Sequence, residues 1–237
     1  MNLKKQYRTQ IVFIFLYLLF SGIHITSQAS SSGRAHKNLD PILINGKKYV
    51  LHSTAINGHQ YLASPTFEKG SVTIKGEVYK NVMLNLDVYT QELVLFFNTA
   101  QGSSQLISMS DAWITNFSIG DRNFVFRTSE SGTKEIYQTI GNGDVKILYQ
   151  WEKSMRLNPN SGKHYFTSSA KKSYALINGE LKRFKSNRSF IECFDDSYKE
   201  LLKKYIKENR IRVSKLNDSE TQSLINYCNN IIKNWKT

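Results

Sequence analysis

Residues 82–97 read VMLNLDVYTQELVLFF, and this stretch decides the fold class. Apolar side chains occupy every second position from Val82 to Val88, and Asn85 and Asp87 lie at positions between them. This period of two is typical of a β-strand with one buried face, so we expect the two polar side chains to face solvent. A polar turn and a second apolar run follow at once, which predicts that the two runs pair as a hairpin.

Similar alternations recur on both sides of this hairpin, about every ten residues, with no helical period between them. Asn-Gly pairs at positions 45–46, 57–58 and 178–179 suit two-residue turns that need positive φ angles. Closely spaced strands without intervening helices favour antiparallel connections over βαβ units. We therefore predict a mainly β domain over residues 42–188, an antiparallel meander that forms a sandwich, a roll or a small barrel.

The apolar period changes near residue 189, where a C-terminal helical hairpin over residues 189–237 is predicted. Ser189 and Glu192 have the spacing of a capping box, and Ser219 and Gln222 repeat it. An apolar stripe at helical spacing follows each box, and the short link between them favours antiparallel neighbours. Two helices alone cannot hide both stripes, so we expect the pair to pack on the β-domain or on a partner.

The N-terminus has the three zones of a secretory signal peptide: basic residues, an apolar run over residues 11–25, and small residues. We expect a signal peptide over residues 1–29, cleavage between Ala29 and Ser30, and a flexible leader over residues 30–41. An uncleaved anchor is the alternative, but the run is shorter than the roughly twenty residues that span a bilayer. The mature chain should lack a transmembrane span and be periplasmic or secreted.

The charge balance points to anionic partners. The chain has 32 Lys and Arg against 19 Asp and Glu, a formal net charge of +13. Such an excess favours an anionic envelope component, either a lipid head group or an acidic glycan, while export disfavours nucleic acid. Lys199, Lys203 and Lys207 are spaced by four and form one helical stripe, which makes them candidate anion-binding residues. A solvated helix face has the same pattern.

No pattern of residues predicts a catalytic site, a metal site or a cofactor. The histidines lack metal-ligand spacings, and a Gly-x-Ser-x-Gly nucleophile motif is absent from the sequence. Folding could still gather Asp87, Glu92 and Asp111 into a pair of carboxylates for glycoside hydrolysis. The sequence favours an exported, non-enzymatic binding or envelope-associated protein, and the alternative is a hydrolase that acts on an envelope polymer.

Cys193 and Cys228 are the only two cysteines, and they form a candidate disulfide between the two predicted helices. Export would place them in a compartment where disulfides persist. The alternative is that Cys228 is a small buried hydrophobic residue and Cys193 a partly exposed thiol.

Several short segments of the sequence resemble a group of exported proteins. They are FEKGSV at residues 67–72, YKNV at 79–82 and LNLDVY at 84–89, followed by a strand that ends at Phe97 and by the helical stretch at 190–232. In these segments the chain resembles uncharacterised exported β-rich proteins common in Bacteroidota-type bacteria. The resemblance implies a β-rich fold and an exported location. It implies no site residues, because that group has no assigned activity.

Overall fold

A computed structural model of the protein describes residues 39–52, 55–129 and 131–235. The described strands, numbered in chain order, are β1 (Gly46–Lys48), β2 (Glu68–Ile74), β3 (Glu77–Asp87), β4 (Glu92–Asn98), β5 (Ser104–Met109), β6 (Ile114–Ile119), β7 (Arg122–Thr128), β8 (Lys134–Ile140), β9 (Val145–Glu152), β10 (Met155–Leu157), β11 (His164–Phe166), β12 (Ala170–Ile177) and β13 (Glu180–Phe184). The described helices are α1 (Asn187–Ile191), α2 (Asp196–Glu208) and α3 (Asp218–Trp235), and a 3-10 turn at Asp111–Trp113 precedes β6.

Eleven of these strands form one antiparallel sheet in the order β1-β5-β4-β3-β2-β6-β7-β8-β9-β12-β13. The predicted antiparallel meander and the C-terminal helices are confirmed, and β3 pairs with β4 as expected, with Leu84 opposite Leu95. The predicted closure into a barrel is wrong, because among the described strands β1 and β13 are the two edges of this sheet and do not pair with each other. Of the three arrangements predicted, the structure is nearest to a roll. A separate ribbon pairs β10 with β11.

The N-terminal strands bury their apolar face by rolling the sheet on itself. Val82, Leu84, Leu86 and Val88 are all buried as predicted, in a first apolar cluster that extends from β2 to β8. The roll brings the turn between β3 and β4 against β9, although four strands separate β3 from β9 in the sheet. Here the Lys153 amide donates a hydrogen bond to the Val88 carbonyl.

The expectation that Asn85 and Asp87 face solvent is wrong, since both are buried. Residues 49–52 and 55–67 cover their face of the sheet. The Asn85 side-chain amide donates to the carbonyls of Ser64 and Thr66, and the Tyr49 hydroxyl donates to Asp87 Oδ2 over 2.6 Å. The alternation identified which residues share a face, but a covering loop lies outside that pattern.

The C-terminal strands bury their apolar face under the helices. This second apolar cluster includes Tyr149, Phe190, Leu202 and Ile225, each with an exposed fraction of 1% or less. The first predicted helix is divided: α1 ends at Ile191, and α2 begins after a turn.

The predicted capping residues also differ from those in the structure. Ser186 is the cap of α1, and its hydroxyl and that of Ser189 each bond the other's backbone amide. At α3 the box is formed by Asn217 and Glu220, which exchange two bonds of 2.9 Å, rather than by Ser219 and Gln222. Helix α1 therefore begins two residues before Ser189, and α3 begins one residue before Ser219. In each case an earlier Ser or Asn side chain accepts a hydrogen bond from the first free backbone amides.

Helix α3 lies so close to the turn between β8 and β9 that the turn requires glycine. Asn229 Oδ1 accepts a hydrogen bond from the Val145 amide over 2.9 Å, which ties the helix to the first residue of β9. A Cβ atom on Gly141, whose φ is +97°, would lie 2.6 Å from Ile225 Cγ2. Gly141 thus supplies both a left-handed backbone and the space for the helix.

We predict that Gly141→Ala destabilises the protein more than Gly179→Ala does. Gly179 has a similar φ of +87° but no other atom within 4 Å of its added Cβ, so its replacement carries only the backbone cost of about 1–2 kcal/mol. At Gly141 the collision with Ile225 adds about 1–3 kcal/mol. Urea unfolding of both variants measures the difference in the free energy of unfolding, and equal losses would show that α3 does not press on this turn.

Candidate anion-binding cleft

The predicted lysine stripe lies on α2, where carboxylates pair with two of its three members. Lys199 Nζ is 2.8 Å from Asp196 Oδ1 and 2.9 Å from Glu192 Oε2, and hydrogen bonds to these carboxylates raise the pKa of Lys199. Lys203 Nζ lies 2.6 Å from Glu200 Oε1. These ion pairs offset part of the positive charge of Lys199 and Lys203.

The two cysteines are buried in the second apolar cluster, and the structure has both as free thiols. Cys193 Sγ lies 3.2 Å from the Ser189 carbonyl oxygen, one turn back along the chain, and so points to its own segment. Burial raises the pKa of Cys228 to about 12. Thiols of this kind are packing residues with low reactivity.

A cleft of about 630 Å³ lies where the end of β9 meets the link between α2 and α3. Arg122 from the start of β7, Lys171 from β12 and Lys215 from the link line it, together with Trp151 and Asp218. Three cations thus face one carboxylate. Sequence reasoning missed all five, because no local spacing connects residues from four separate segments.

One buried side-chain amide, that of Gln138, holds both the Trp151 indole and the Asp218 carboxylate in position. Gln138 on β8 is 2% exposed; its Oε1 accepts a hydrogen bond from Trp151 Nε1 over 2.7 Å, and its Nε2 donates to Asp218 Oδ2 over 2.6 Å. The same carboxylate oxygen is 3.8 Å from Arg122 Nε. The side chains of one wall are therefore held in a single connected network.

A second buried contact holds the start of α3 beside the cleft. The Tyr149 hydroxyl and Thr221 Oγ1 are 2.9 Å apart, and Thr221 Oγ1 donates to the Asn217 carbonyl over 2.7 Å. Thr221 is 1% exposed, so these bonds form away from water. Unpaired, such groups would each cost about 1–3 kcal/mol, which fixes the helix start relative to the sheet.

Lys171 is the most constrained cation of the cleft. Its Nζ is 3.9 Å from the centre of the Tyr149 ring and donates to the Leu216 carbonyl over 3.0 Å. Burial lowers the pKa of Lys171, and the charge of Asp218 opposes this shift. A cation held over an aromatic face and partly removed from water attracts an anion more strongly than a solvated lysine does.

The acids considered for hydrolysis lie elsewhere. Glu92 and Asp111 line a separate cleft of about 520 Å³, whereas Asp87 is buried beneath Tyr49. Burial raises the pKa of Glu92, but hydrogen bonds from Lys47, Thr90 and Ser108 outweigh it, so the pKa is lowered overall. Glu92 is consequently a carboxylate, whereas glycoside hydrolysis needs one acid whose pKa is raised.

No protein-family model, curated protein or solved structure matches the chain. Within residues 39–52, 55–129 and 131–235, no group of three or more His, Cys, Asp or Glu side chains could hold a metal ion. In the same part of the chain, no helix is long and apolar enough to cross a membrane. The functional assignment accordingly depends on the geometry and charge of the clefts.

We predict two free thiols in denatured, unreduced protein, because both sulfur atoms are buried and Cys193 is directed to its own backbone. Thiol titration under denaturing conditions measures them, and a chemically reduced sample gives the reference of two. A monomer without any free thiol would establish the disulfide instead.

Proposed function

We propose that the protein is exported and binds an anionic component of the cell envelope in the cleft beside Trp151. The observation that carries this proposal is the convergence of Arg122, Lys171 and Lys215 on one concave site that contains a single carboxylate. The excess positive charge of the whole chain adds long-range attraction for the same kind of ligand.

The case for export comes from the sequence of residues 1–29, which lies outside the described residues. Its order of basic, apolar and small residues is that of a cleavable signal. The resemblance to exported β-rich proteins agrees with it. An envelope polymer or head group is then the anion that such a protein would meet in the periplasm or the medium.

A binding role is better supported than hydrolysis. Catalysis on a glycan needs an acid and a base on opposite sides of the scissile bond. The basic cleft contains one carboxylate, and Asp218 is already engaged by Gln138 and Arg122. The acidic pair elsewhere includes a carboxylate whose pKa is lowered. Three cations and an aromatic wall are instead suited to holding a charged, ring-containing group.

Export is tested by N-terminal sequencing of protein recovered from the periplasm and the medium of expressing cells. We expect the mature chain to begin at Ser30, because Ala29 fits the small pocket of the signal peptidase. Ala29→Phe should block cleavage and serves as the control. Recovery of a chain that begins at Met1 from outside the cytoplasm would contradict the proposal.

Binding is tested with polygalacturonate and with vesicles that contain phosphatidylglycerol, both at low salt. We expect the triple variant Arg122→Gln/Lys171→Gln/Lys215→Gln to bind its preferred probe at least about tenfold more weakly, since each charge-assisted hydrogen bond contributes about 1.5–3 kcal/mol. Binding should also weaken with added salt.

The matched control is Lys199→Gln/Lys203→Gln/Lys207→Gln, which removes the same charge from the paired stripe on α2. We expect it to bind within about twofold of the wild type, because surface ion pairs already engage two of its lysines. An equal loss in both triple variants would show that net charge, and not the cleft, attracts the ligand. If the wild type binds neither polygalacturonate nor the phosphatidylglycerol vesicles, the proposed function is refuted.

A further inference from the structure

A second cleft of about 400 Å³ adjoins the basic cleft beside Trp151. The two share Lys215 and Leu216 in their walls, so they adjoin each other along the link between α2 and α3. Arg210, Arg212 and Tyr205 line the second cleft. Five cations are thereby distributed along one surface, and Asp218 and Glu220 are the acids among the same lining residues.

The link that carries these arginines is fixed in place by the protein. The side chain of Asn187 donates to the Ile211 carbonyl over 2.7 Å and accepts from the Val213 amide over 2.9 Å. Val213 is 2% exposed, so the link is anchored in the second apolar cluster. Because the backbone is held at these points, the arginines beside them need little reordering to meet a ligand.

We infer that the two clefts form one continuous site for a linear acidic glycan, an inference that rests on the proposed function. A chain of uronic acid residues carries one carboxylate per sugar, which suits cations spaced along a groove. Its hydroxyl groups can donate hydrogen bonds to Asp218 and Glu220, the two acids beside those cations.

The walls of the groove also suit sugar rings. Trp151 lines the first cleft and Tyr205 the second, so each cleft offers an aromatic side chain beside its cations. The Tyr205 ring stacks on Tyr227 with 3.7 Å between the ring centres, which holds it in one orientation. A concave groove encloses a single extended chain, while an array of lipid head groups would contact a flat or protruding surface.

The inference is tested by titrating the wild type with galacturonate oligomers of increasing length, from the dimer upward. We expect the affinity to rise with length until one oligomer spans both clefts and then to level off. Arg210→Gln/Arg212→Gln should lower the affinity for long oligomers about tenfold and leave that for the dimer unchanged, while Lys171→Gln should weaken both. The matched control for charge is Lys203→Gln/Lys207→Gln, and uncharged glucose oligomers control for sugar without carboxylate.

The outcomes separate the two proposals. Dimer binding that depends on Lys171 but does not strengthen with oligomer length would refute the continuous site and leave the proposed function standing. A second outcome is that no galacturonate oligomer binds, while single-stranded DNA or phosphatidylglycerol vesicles bind with an affinity that depends on Arg210 and Arg212. This outcome would refute an acidic glycan as the ligand. Absence of binding to all of these probes would refute both.

Discussion

The structure depends on how one eleven-stranded sheet removes a single apolar face from water. A single layer of strands has no second sheet to cover it, and apolar area left exposed would cost about 25 cal/mol for each Å². The chain meets this constraint in two ways. The strands up to β8 roll until their own face is enclosed, and the strands from β8 onward are covered by helices. Both solutions meet at the end of β9, where Trp151 packs against both apolar clusters.

The cleft lies at that junction, and side chains from the adjoining segments line it. Here those side chains are Arg122, Lys171 and Lys215, beside the first turn of α3. Partial removal from water strengthens the attraction between such cations and an anion, since the effective dielectric constant falls well below that of bulk water.

The sequence predicts the parts of this structure that depend on near neighbours. The hairpin of β3 and β4 was predictable because alternation along residues 82–97 reports a shared face directly, and the C-terminal helices were predictable from a change of period. The burial of Asp87 was not predictable, because Tyr49 covers it from 38 residues away. The lysine stripe on α2 shows the same limit. Its spacing of four can be read from the sequence, but the pairing of Lys199 with Glu192 could not be predicted, because it depends on the turn between α1 and α2.

The basic cleft is the extreme case, since its walls come from residues that only the sheet order brings together. Gln138 illustrates why such a site also resists detection by composition. A buried amide is expensive unless its groups are paired, and here it is paired on both sides, with Trp151 and with Asp218. An apolar residue of similar volume would serve the core as well but would leave the indole and the carboxylate without a fixed orientation. The amide therefore contributes to the geometry of the cleft, and a prearranged wall lowers the side-chain entropy that the protein loses when a ligand binds.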